Sequence, residues 1–224
     1  KASAAANDPR YKVEVAIVKS SGKYVVKWKD PDGNNKEKEL PAGFSDGTHT
    51  IHFLARTGSG STDTDKTDFT FDTKAPTVEI TSPDLSRSQS GDFTMRGSVI
   101  DIPGGVKSIK YIVGKQDTDD ITVKPSETST EWKPLSLSGD TWAIPFTGAN
   151  NITQKTKAQA LGKMIGGLAP GVELYEIPIF FLAEDKAGES SQKGNIDIIL
   201  RIIRVDPNGD IPEVTVLTPE KDKV

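Results

Sequence analysis

The sequence predicts an all-β chain made of tandem antiparallel β-sandwich modules. Short runs of alternating apolar and polar residues recur along most of its 224 residues. Turn-forming residues such as Asp32-Gly33 separate these runs by a few positions. Alternation with a period of two, interrupted by turns, is typical of strands that bury one face. The chain contains no cysteine, so its core is not reinforced by disulfides or by zinc–thiolate sites.

A phrase that occurs twice predicts how the modules follow one another. FDTKAPTVEITSPD begins at Phe71, and VDPNGDIPEVTVLTPE begins at Val205. Both contain an apolar residue, Asp, a turn-prone spacer, Pro and a short β-rich run, and internal repetition of this kind sets the architecture of a chain. Because proline has no amide hydrogen to donate to a β-ladder, Pro76 and Pro212 each predict the start of a new module.

The repeat divides the chain into four segments. Residues 1–9 are interpreted as a linker or the remnant of a leader, and residues 10–74 as a first sandwich module whose opening strands are missing. Residues 75–206 are predicted to form a second sandwich with an insertion near 150–170. Residues 207–224 are interpreted as a hinge and the first strand of a following module.

Alternation predicts the individual strands of both modules. Those of the first module are expected at 12–18, 24–29, before Leu40, at 48–56 and at 67–73. Those of the second are expected at 78–80, 92–100, 106–113, 121–123, around Trp132 and Trp142, at 175–184 and at 196–205. Phe53 and Phe181 are predicted to be buried on inner faces. Because proline is unfavourable inside a strand, pairing near Pro178 is expected to begin at Ile179 or to include a bulge.

One stretch of the second module departs from the β pattern. Residues 154–165 have apolar residues at helical spacing, and Gly166-Gly167 is predicted to end the helix. Phe180 and Leu182 are expected on the outward face of their strand, opposite Phe181. An exposed apolar face of this size needs a cover, and the helical insertion is predicted to provide it.

Three stretches resemble the bacterial immunoglobulin-like repeats of cell-surface and secreted proteins. Residues 46–56 (DGTHTIHFLAR) are similar to a strand of that family, and residues 183–190 (AEDKAGES) are similar to its Asp-x-Ala-Gly-Asn turn. Residues 72–78 (DTKAPTV) match the family's hinge. The chain departs from the pattern at Glu189, where the family has Asn, and at 56–60, where RTGSG replaces the Asp-x-Ala-Gly turn.

The resemblance implies tandem immunoglobulin-like sandwiches from a bacterial surface or secreted protein. Such modules are implied to serve as non-catalytic spacers, stalks or adhesive segments, with neighbouring modules of the same polypeptide and a host or polysaccharide ligand as partners. The alternative function is an accessory or carbohydrate-binding segment of a secreted polysaccharide-active enzyme. In neither case does the family supply catalytic residues.

Charge and hydropathy exclude two further classes of protein. The formal net charge is −4, whereas nucleic-acid binders normally present a basic face. No apolar run approaches the roughly 18 residues that a transmembrane helix needs. The sequence therefore predicts no nucleic-acid partner and no transmembrane segment.

Few residues suggest catalysis. The two histidines, His49 and His52, lie three positions apart in a predicted strand and should therefore point to opposite faces, which disfavours a shared metal. No Gly-x-Ser-x-Gly motif accompanies them. The chain is therefore predicted not to be an enzyme.

Calcium is the one cofactor that the sequence suggests. Asp206, Asn208 and Asp210 resemble part of a calcium loop, although the terminal bidentate Glu is missing at the expected spacing. The other acidic groups are interpreted as solvated loops, at Asp63, Asp65 and Asp68 and at Asp117, Asp119 and Asp120. A solvated turn is also the alternative interpretation of residues 206–210.

Two tryptophans and one tripeptide complete the candidate sites. Trp132 and Trp142 could form a sugar-stacking platform, and the alternative is that both pack in a sandwich core, where large aromatic residues dominate. Asn151-Ile152-Thr153 matches a glycosylation acceptor, a match that means little in a bacterial protein.

Overall fold

The computed structural model describes residues 15–20, 23–29, 33–41, 44–56, 60, 62–168, 171–186 and 194–209. A 3-10 turn spans Gly148–Asn150. The remaining elements, in chain order, are β1 (Val15–Ser20), β2 (Lys23–Lys29), β3 (Asn35–Glu39), β4 (Gly47–Arg56), β5 (Thr62–Phe71), β6 (Thr77–Ser82), β7 (Ser88–Gln89), β8 (Phe93–Ile100), β9 (Val106–Val113), β10 (Lys133–Pro134), β11 (Thr141–Phe146), α1 (Lys155–Leu161), β12 (Lys163–Met164), β13 (Tyr175–Asp185) and β14 (Ile196–Val205).

The described part of the chain is mostly β-structure arranged in several sheets, which confirms the predicted all-β class. The chain divides into two compact units at Ala75 and Pro76. The first unit also contains Asp101–Gly105 and Asp185–Asn195, two short segments that the sequence had placed in the second module. The predicted linker at 1–9 and the predicted strand after Pro212 lie outside the described residues.

The described residues of the first unit form two small antiparallel sheets. Strands β1, β2 and β3 form one sheet, and β4 and β5 form a long hairpin. Phe71 is buried at the end of β5, and the ring of Tyr24 meets it edge-on with 4.7 Å between centroids. Phe44 packs against Phe71 and His49, so aromatic contacts supply much of this small core. Phe53 was also predicted to be buried, but its side chain lies outside the part of the chain that the structure describes.

The second unit is built from two sheets that contribute side chains to one core. Strands β10, β9, β13, β14 and β7 form the larger sheet, with β12 added to β13, and strands β11, β8 and β6 form the smaller one. The fully buried side chains that the two sheets contribute to this core are those of Val78, Met95, Val99, Ile177, Ile179, Phe181, Ala183, Ile203 and Val205. This shared core holds the two sheets together.

Strand β13 is buried on both faces. Phe181 points into the main core, whereas Phe180 and Leu182 belong to a second apolar cluster with Trp132 and Ile198. The predicted assignment of these side chains to opposite faces is confirmed. The predicted cover is wrong, because Trp132, from the segment between β9 and β10, packs on the outward face in place of the helical insertion.

Helix α1 is shorter than predicted and packs on the other side of the sheet. Ala158 is fully buried in the main core. The helix ends at Leu161, and the next residue lies close to β13: a Cβ at Gly162 would be 2.7 Å from the backbone oxygen of Glu176 and 2.8 Å from the side chain of Ile177. Met164, which was predicted to lie in the helix, pairs with β13 and is 58% exposed.

Other strand boundaries also differ from the prediction. Pairing between β13 and β14 runs without a break through Pro178, which lies opposite Ile202. The N–H and C=O of one strand residue point to the same side. The Pro178 carbonyl accepts from Gly114 N, just beyond the end of β9. The side of Pro178 that lacks an N–H therefore faces the end of the β9–β13 ladder, where few backbone hydrogen bonds remain to be made. The predicted strand at 121–123 is a turn with Ile121 buried.

We expect Phe181→Ala to destabilise the second unit strongly. The side chain is fully buried and its ring lies 5.0 Å from that of Trp142, so truncation leaves a cavity in the main core. The expected loss is about 3–5 kcal/mol. Chemical denaturation measures it, with Met164→Ala as the control, since substitution of an exposed side chain usually changes stability by less than about 0.5 kcal/mol. Equal losses in the two variants would contradict the burial of Phe181.

Candidate metal centre

Three carboxylates converge in the first unit. One carboxylate oxygen from each of Asp72, Asp101 and Asp185 lies within 4.8 Å of the other two. We refer to these three residues as the carboxylate cluster. Each stands at the end of a strand: Asp72 directly follows β5, Asp101 directly follows β8, and Asp185 is the last residue of β13.

Asp72 is held by three hydrogen bonds. Its Oδ1 accepts from the backbone N–H of Lys74 at 3.0 Å, and its Oδ2 accepts from that of Gly104 at 2.9 Å. Its backbone oxygen accepts from Asn195 Nδ2 at 3.0 Å. The side chain is buried, and these donors fix its orientation.

Asp185 is fully buried, and Asn195 donates to both of its carboxylate oxygens. Its Oδ1 accepts from the backbone N–H of Asn195 at 2.8 Å, and its Oδ2 accepts from Asn195 Nδ2 at 2.7 Å. The next residue, Lys186, donates its backbone N–H to Gly105 O at 2.8 Å. Backbone bonding therefore joins Gly105 to Lys186, and the bonds from Asn195 join the two described ends of the 185–195 segment.

Asp101 is the least satisfied member of the cluster. Its Oδ2 is buried and has no hydrogen-bond partner among the described residues. Burial, followed by the negative charges of Asp72 and Asp185, raises the pKa of the Asp101 carboxyl from its usual 3.8 to about 6. A buried, unpartnered carboxylate oxygen beside two other acids is costly unless a proton or a cation neutralises it.

Gly104 provides the space in which these oxygens meet. A Cβ at this position would lie 2.3 Å from Asp72 Oδ2 and 3.0 Å from Asp101 Oδ2. Any side chain would therefore separate the Gly104 N–H from the carboxylate that it binds. The glycine is required by close approach.

The donor set fits a hard divalent cation. Calcium binds carboxylate and carbonyl oxygens at 2.3–2.6 Å, so two of its ligands lie at most about 5 Å apart. The three cluster oxygens satisfy that limit. An ionised carboxylate offers about four acceptor sites, so a carboxylate can accept hydrogen bonds and bind a metal at the same time. The alternative neutralising group is a proton on Asp101.

A fourth acid nearby is already engaged. Asp46 Oδ1 accepts from both the backbone N–H and the hydroxyl of Thr73, at 3.0 and 2.9 Å. Its Oδ2 lies 3.5 Å from Lys74 Nζ. Asp46 therefore anchors the residues after Asp72, and its charge also contributes to the raised pKa of Asp101.

The predicted calcium loop is a turn in its described part. Asp206 Oδ1 accepts from the backbone N–H of Asn208 at 3.0 Å, and Asp206 O accepts from Gly209 N at 3.3 Å. Asn208 thus engages Asp206 through its backbone. The third predicted ligand, Asp210, lies outside the described residues.

The two tryptophans are not brought together. Trp142 is 3% exposed and packs in the main core, whereas Trp132 is 9% exposed and packs in the second cluster on the other face of the larger sheet. Trp132 Nε1 donates to Ser126 O at 2.8 Å. A sugar-stacking platform needs exposed, adjacent rings, and this placement matches the core-packing alternative instead.

The histidines occupy opposite faces of β4. His49 Nε2 lies 2.8 Å from Ser45 O, and its ring packs against Phe44 and Phe69. His52 is exposed and lies opposite Lys66 in the strand register. Neither placement joins the two imidazoles.

The remaining acidic groups serve the local backbone. Asp117 Oδ1 accepts from the N–H of Asp119, and Asp120 Oδ1 accepts from the N–H and hydroxyl of Thr122, as expected for a solvated turn. The predicted acidic loop at Asp63, Asp65 and Asp68 is instead part of strand β5. In this stretch the acidic residues mostly alternate with threonine, and this pattern is compatible with a strand.

The tripeptide that matches a glycosylation acceptor is buried. Asn151 is 7% exposed, and its Nδ2 donates to Asp92 Oδ1 at 2.7 Å. Thr153 donates its hydroxyl to Asn151 Oδ1 at 2.7 Å. The acceptor amide is therefore part of a polar network in the second unit.

Sequence reasoning did not bring the carboxylate cluster together. Asp72 and Asp185 were noted within the hinge phrase and the turn phrase, but Asp101 was not singled out. A usable signal was an acid placed directly after the last apolar residue of a strand, as in Phe71-Asp72 and Ile100-Asp101.

Comparison with known proteins adds no relative. No model of a known protein family matches the chain, and no curated protein sequence matches it. Among the described residues, no helix is long and apolar enough to cross a membrane. The interpretation of function therefore depends on the geometry of the cluster and on the sequence resemblance.

With a chelator present, we expect Asp101→Asn to raise the melting temperature at neutral pH and to change it little near pH 4. The pKa is about 6 in the folded chain against a usual 3.8, so the folded state binds the proton more tightly. The stability gained from that proton is complete below the unfolded pKa and is lost as pH rises through the folded pKa. Asparagine cannot ionise and avoids this loss. Circular dichroism melts across the range measure it.

Asp84→Asn provides a control of opposite sign. A hydrogen bond from the Ser86 hydroxyl lowers the pKa of Asp84, aided by the Ser86 N–H and by Arg87. Its ionised form therefore favours folding, and its removal should lower the melting temperature at neutral pH. A neutral-pH loss of stability in Asp101→Asn as well would contradict the predicted carboxylate repulsion.

Proposed function

We propose that this chain is a non-catalytic structural segment of a bacterial cell-surface or secreted protein. In this proposal its units are immunoglobulin-like β-sandwich modules that act as a spacer, stalk or adhesive segment. A divalent cation, best calcium, stabilises the first unit at the carboxylate cluster. The partners are neighbouring modules of the same polypeptide.

The observation that carries the modular part of the proposal is a local structure that occurs at both hinge phrases. Strand β5 ends at buried Phe71, and strand β14 ends at buried Val205. The next residue is Asp72 in one case and Asp206 in the other. In each case Oδ1 of the aspartate accepts a hydrogen bond of 3.0 Å from the backbone N–H two residues later. The two copies of the phrase thus share one hydrogen bond between the aspartate side chain and the backbone.

The architecture of the second unit also supports the proposal. Immunoglobulin-like domains bury the inner faces of two antiparallel sheets against each other. Here the sheets β11-β8-β6 and β10-β9-β13-β14-β7 contribute to one core, and most of their pairings are antiparallel. The buried positions of Trp132 and Trp142 favour the structural function over the carbohydrate-binding alternative.

The cation is proposed on the basis of the buried charge in the cluster. Three acids approach within 4.8 Å, and Asp101 Oδ2 is buried without a hydrogen-bond partner. The strongest influences on the pKa of Asp101 are burial and neighbouring negative charges, all of which favour neutralisation. A cation would supply it at neutral pH without the need for a proton.

We expect millimolar calcium to raise the melting temperature relative to chelator. A ligand that binds only the folded state adds about 2.7 kcal/mol of stability at a free concentration of 100 times its Kd. Magnesium should give a smaller shift, because it requires near-ideal octahedral geometry. Differential scanning calorimetry in each ion provides the measurement.

Two matched variants locate the ion. Asp101→Asn should abolish the calcium shift, and Asp206→Asn should leave it intact. Loss of the shift in Asp206→Asn alone would place calcium at the hinge loop and overturn the assignment to the cluster. An unchanged melting temperature in wild-type protein would remove the cation from the proposal.

A glycan array separates the spacer from the carbohydrate-binding alternative. A passive spacer should bind none of the bacterial, plant or host polysaccharides on the array, because Trp132 and Trp142, the candidate stacking residues, are buried. Specific retention on one glycan class, lost on mutation of an exposed residue, would favour the accessory function of a polysaccharide-active enzyme.

A further inference from the structure

We infer that Asn195 is the positioning residue of the cation site, orienting the ligands without binding the ion. This inference rests on the proposed cation at the carboxylate cluster. Asn195 is partly buried at the end of the 185–195 segment, immediately before β14. It was not a candidate in the sequence, because neither charge nor a motif distinguishes it.

Asn195 is the described residue that bonds to two members of the cluster. Its backbone N–H and its Nδ2 donate to the two oxygens of Asp185, at 2.8 and 2.7 Å. Its Nδ2 also donates to the backbone oxygen of Asp72, at 3.0 Å. Asn195 therefore orients the Asp185 carboxylate through two donors and links it to the backbone of Asp72 through Nδ2.

The chemistry of an amide suits this position. The Nδ2 group has two hydrogens, and the structure gives it two acceptors. A carboxylate there would repel Asp185 and donate nothing, and an ammonium would compete with the cation. Partners that orient metal ligands are known to affect metal affinity by about 10- to 100-fold when mutated.

Gly104 performs the corresponding task for Asp72. Its N–H donates to Asp72 Oδ2 at 2.9 Å, and the absence of a Cβ leaves room for Asp101 Oδ2. Asn195 differs because its side chain can be truncated without filling the site. Substitution of Asn195 therefore tests the orientation of the carboxylates without changing the space available in the cluster.

The experiment compares Asn195→Ala with wild-type protein by isothermal titration with calcium, at a temperature where circular dichroism shows both to be folded. We expect the Kd for calcium to rise about tenfold or more. The control is Asn151→Ala, which removes another buried amide that donates to an acid, Asp92, in the second unit. It should lower thermal stability and leave the calcium Kd unchanged.

The outcomes separate the inference from the proposal beneath it. If wild-type protein does not bind calcium, the cation proposal fails and the inference fails with it. If wild-type protein binds and Asn195→Ala binds equally well, only the positioning inference is overturned. If Asn195→Ala does not fold, Asn195→Ser, which retains the backbone N–H and a small polar group, is judged by the same tenfold criterion.

Discussion

The second unit depends on the burial of one strand on both of its faces. The residues of β13 alternate between the main core, through Ile179 and Phe181, and the second cluster, through Phe180 and Leu182. A strand of this kind gains apolar contact in both directions, and each fully buried Phe contributes about 1.5–3 kcal/mol through its burial. The smaller sheet covers one face. The segment that carries Trp132 covers the other, which is why that long connection is an integral part of the fold.

The first unit is organised by polar interactions to a greater degree. Its described aromatic core is small, and its most buried polar groups are the carboxylates of Asp72 and Asp185. These groups place the segments 101–105 and 185–195 through hydrogen bonds with donors in the backbone and in Asn195. The same arrangement concentrates negative charge at Asp101 Oδ2. A proton or a cation at this position would therefore lower the cost of holding the loops in this way.

The sequence predicted the elements that depend on local periodicity and missed those that depend on distant contacts. The alternation pattern predicted both ends of β14 correctly, because the side chains on each face of the strand recur at every second position. The helix is shorter than predicted and ends at Leu161, and Gly162 lies against β13, a contact that no local pattern contains. Trp132 was recognised as a core candidate, but its place on the outward face of β13 depends on tertiary packing.

The candidate site divides in the same way. The hinge phrase identified Asp72 and Asp206 as equivalent residues, and their turns have the same hydrogen bond. The cluster itself required Asp101 and Asp185 to meet Asp72 across long separations in sequence.

The buried amide of Asn151 has a consequence for recombinant production. In a eukaryotic secretory pathway, an oligosaccharide added to Asn151 during translation would occupy the Nδ2 that the folded chain gives to Asp92. Bacterial expression, or a Thr153 substitution that abolishes the acceptor, avoids that obstruction to folding.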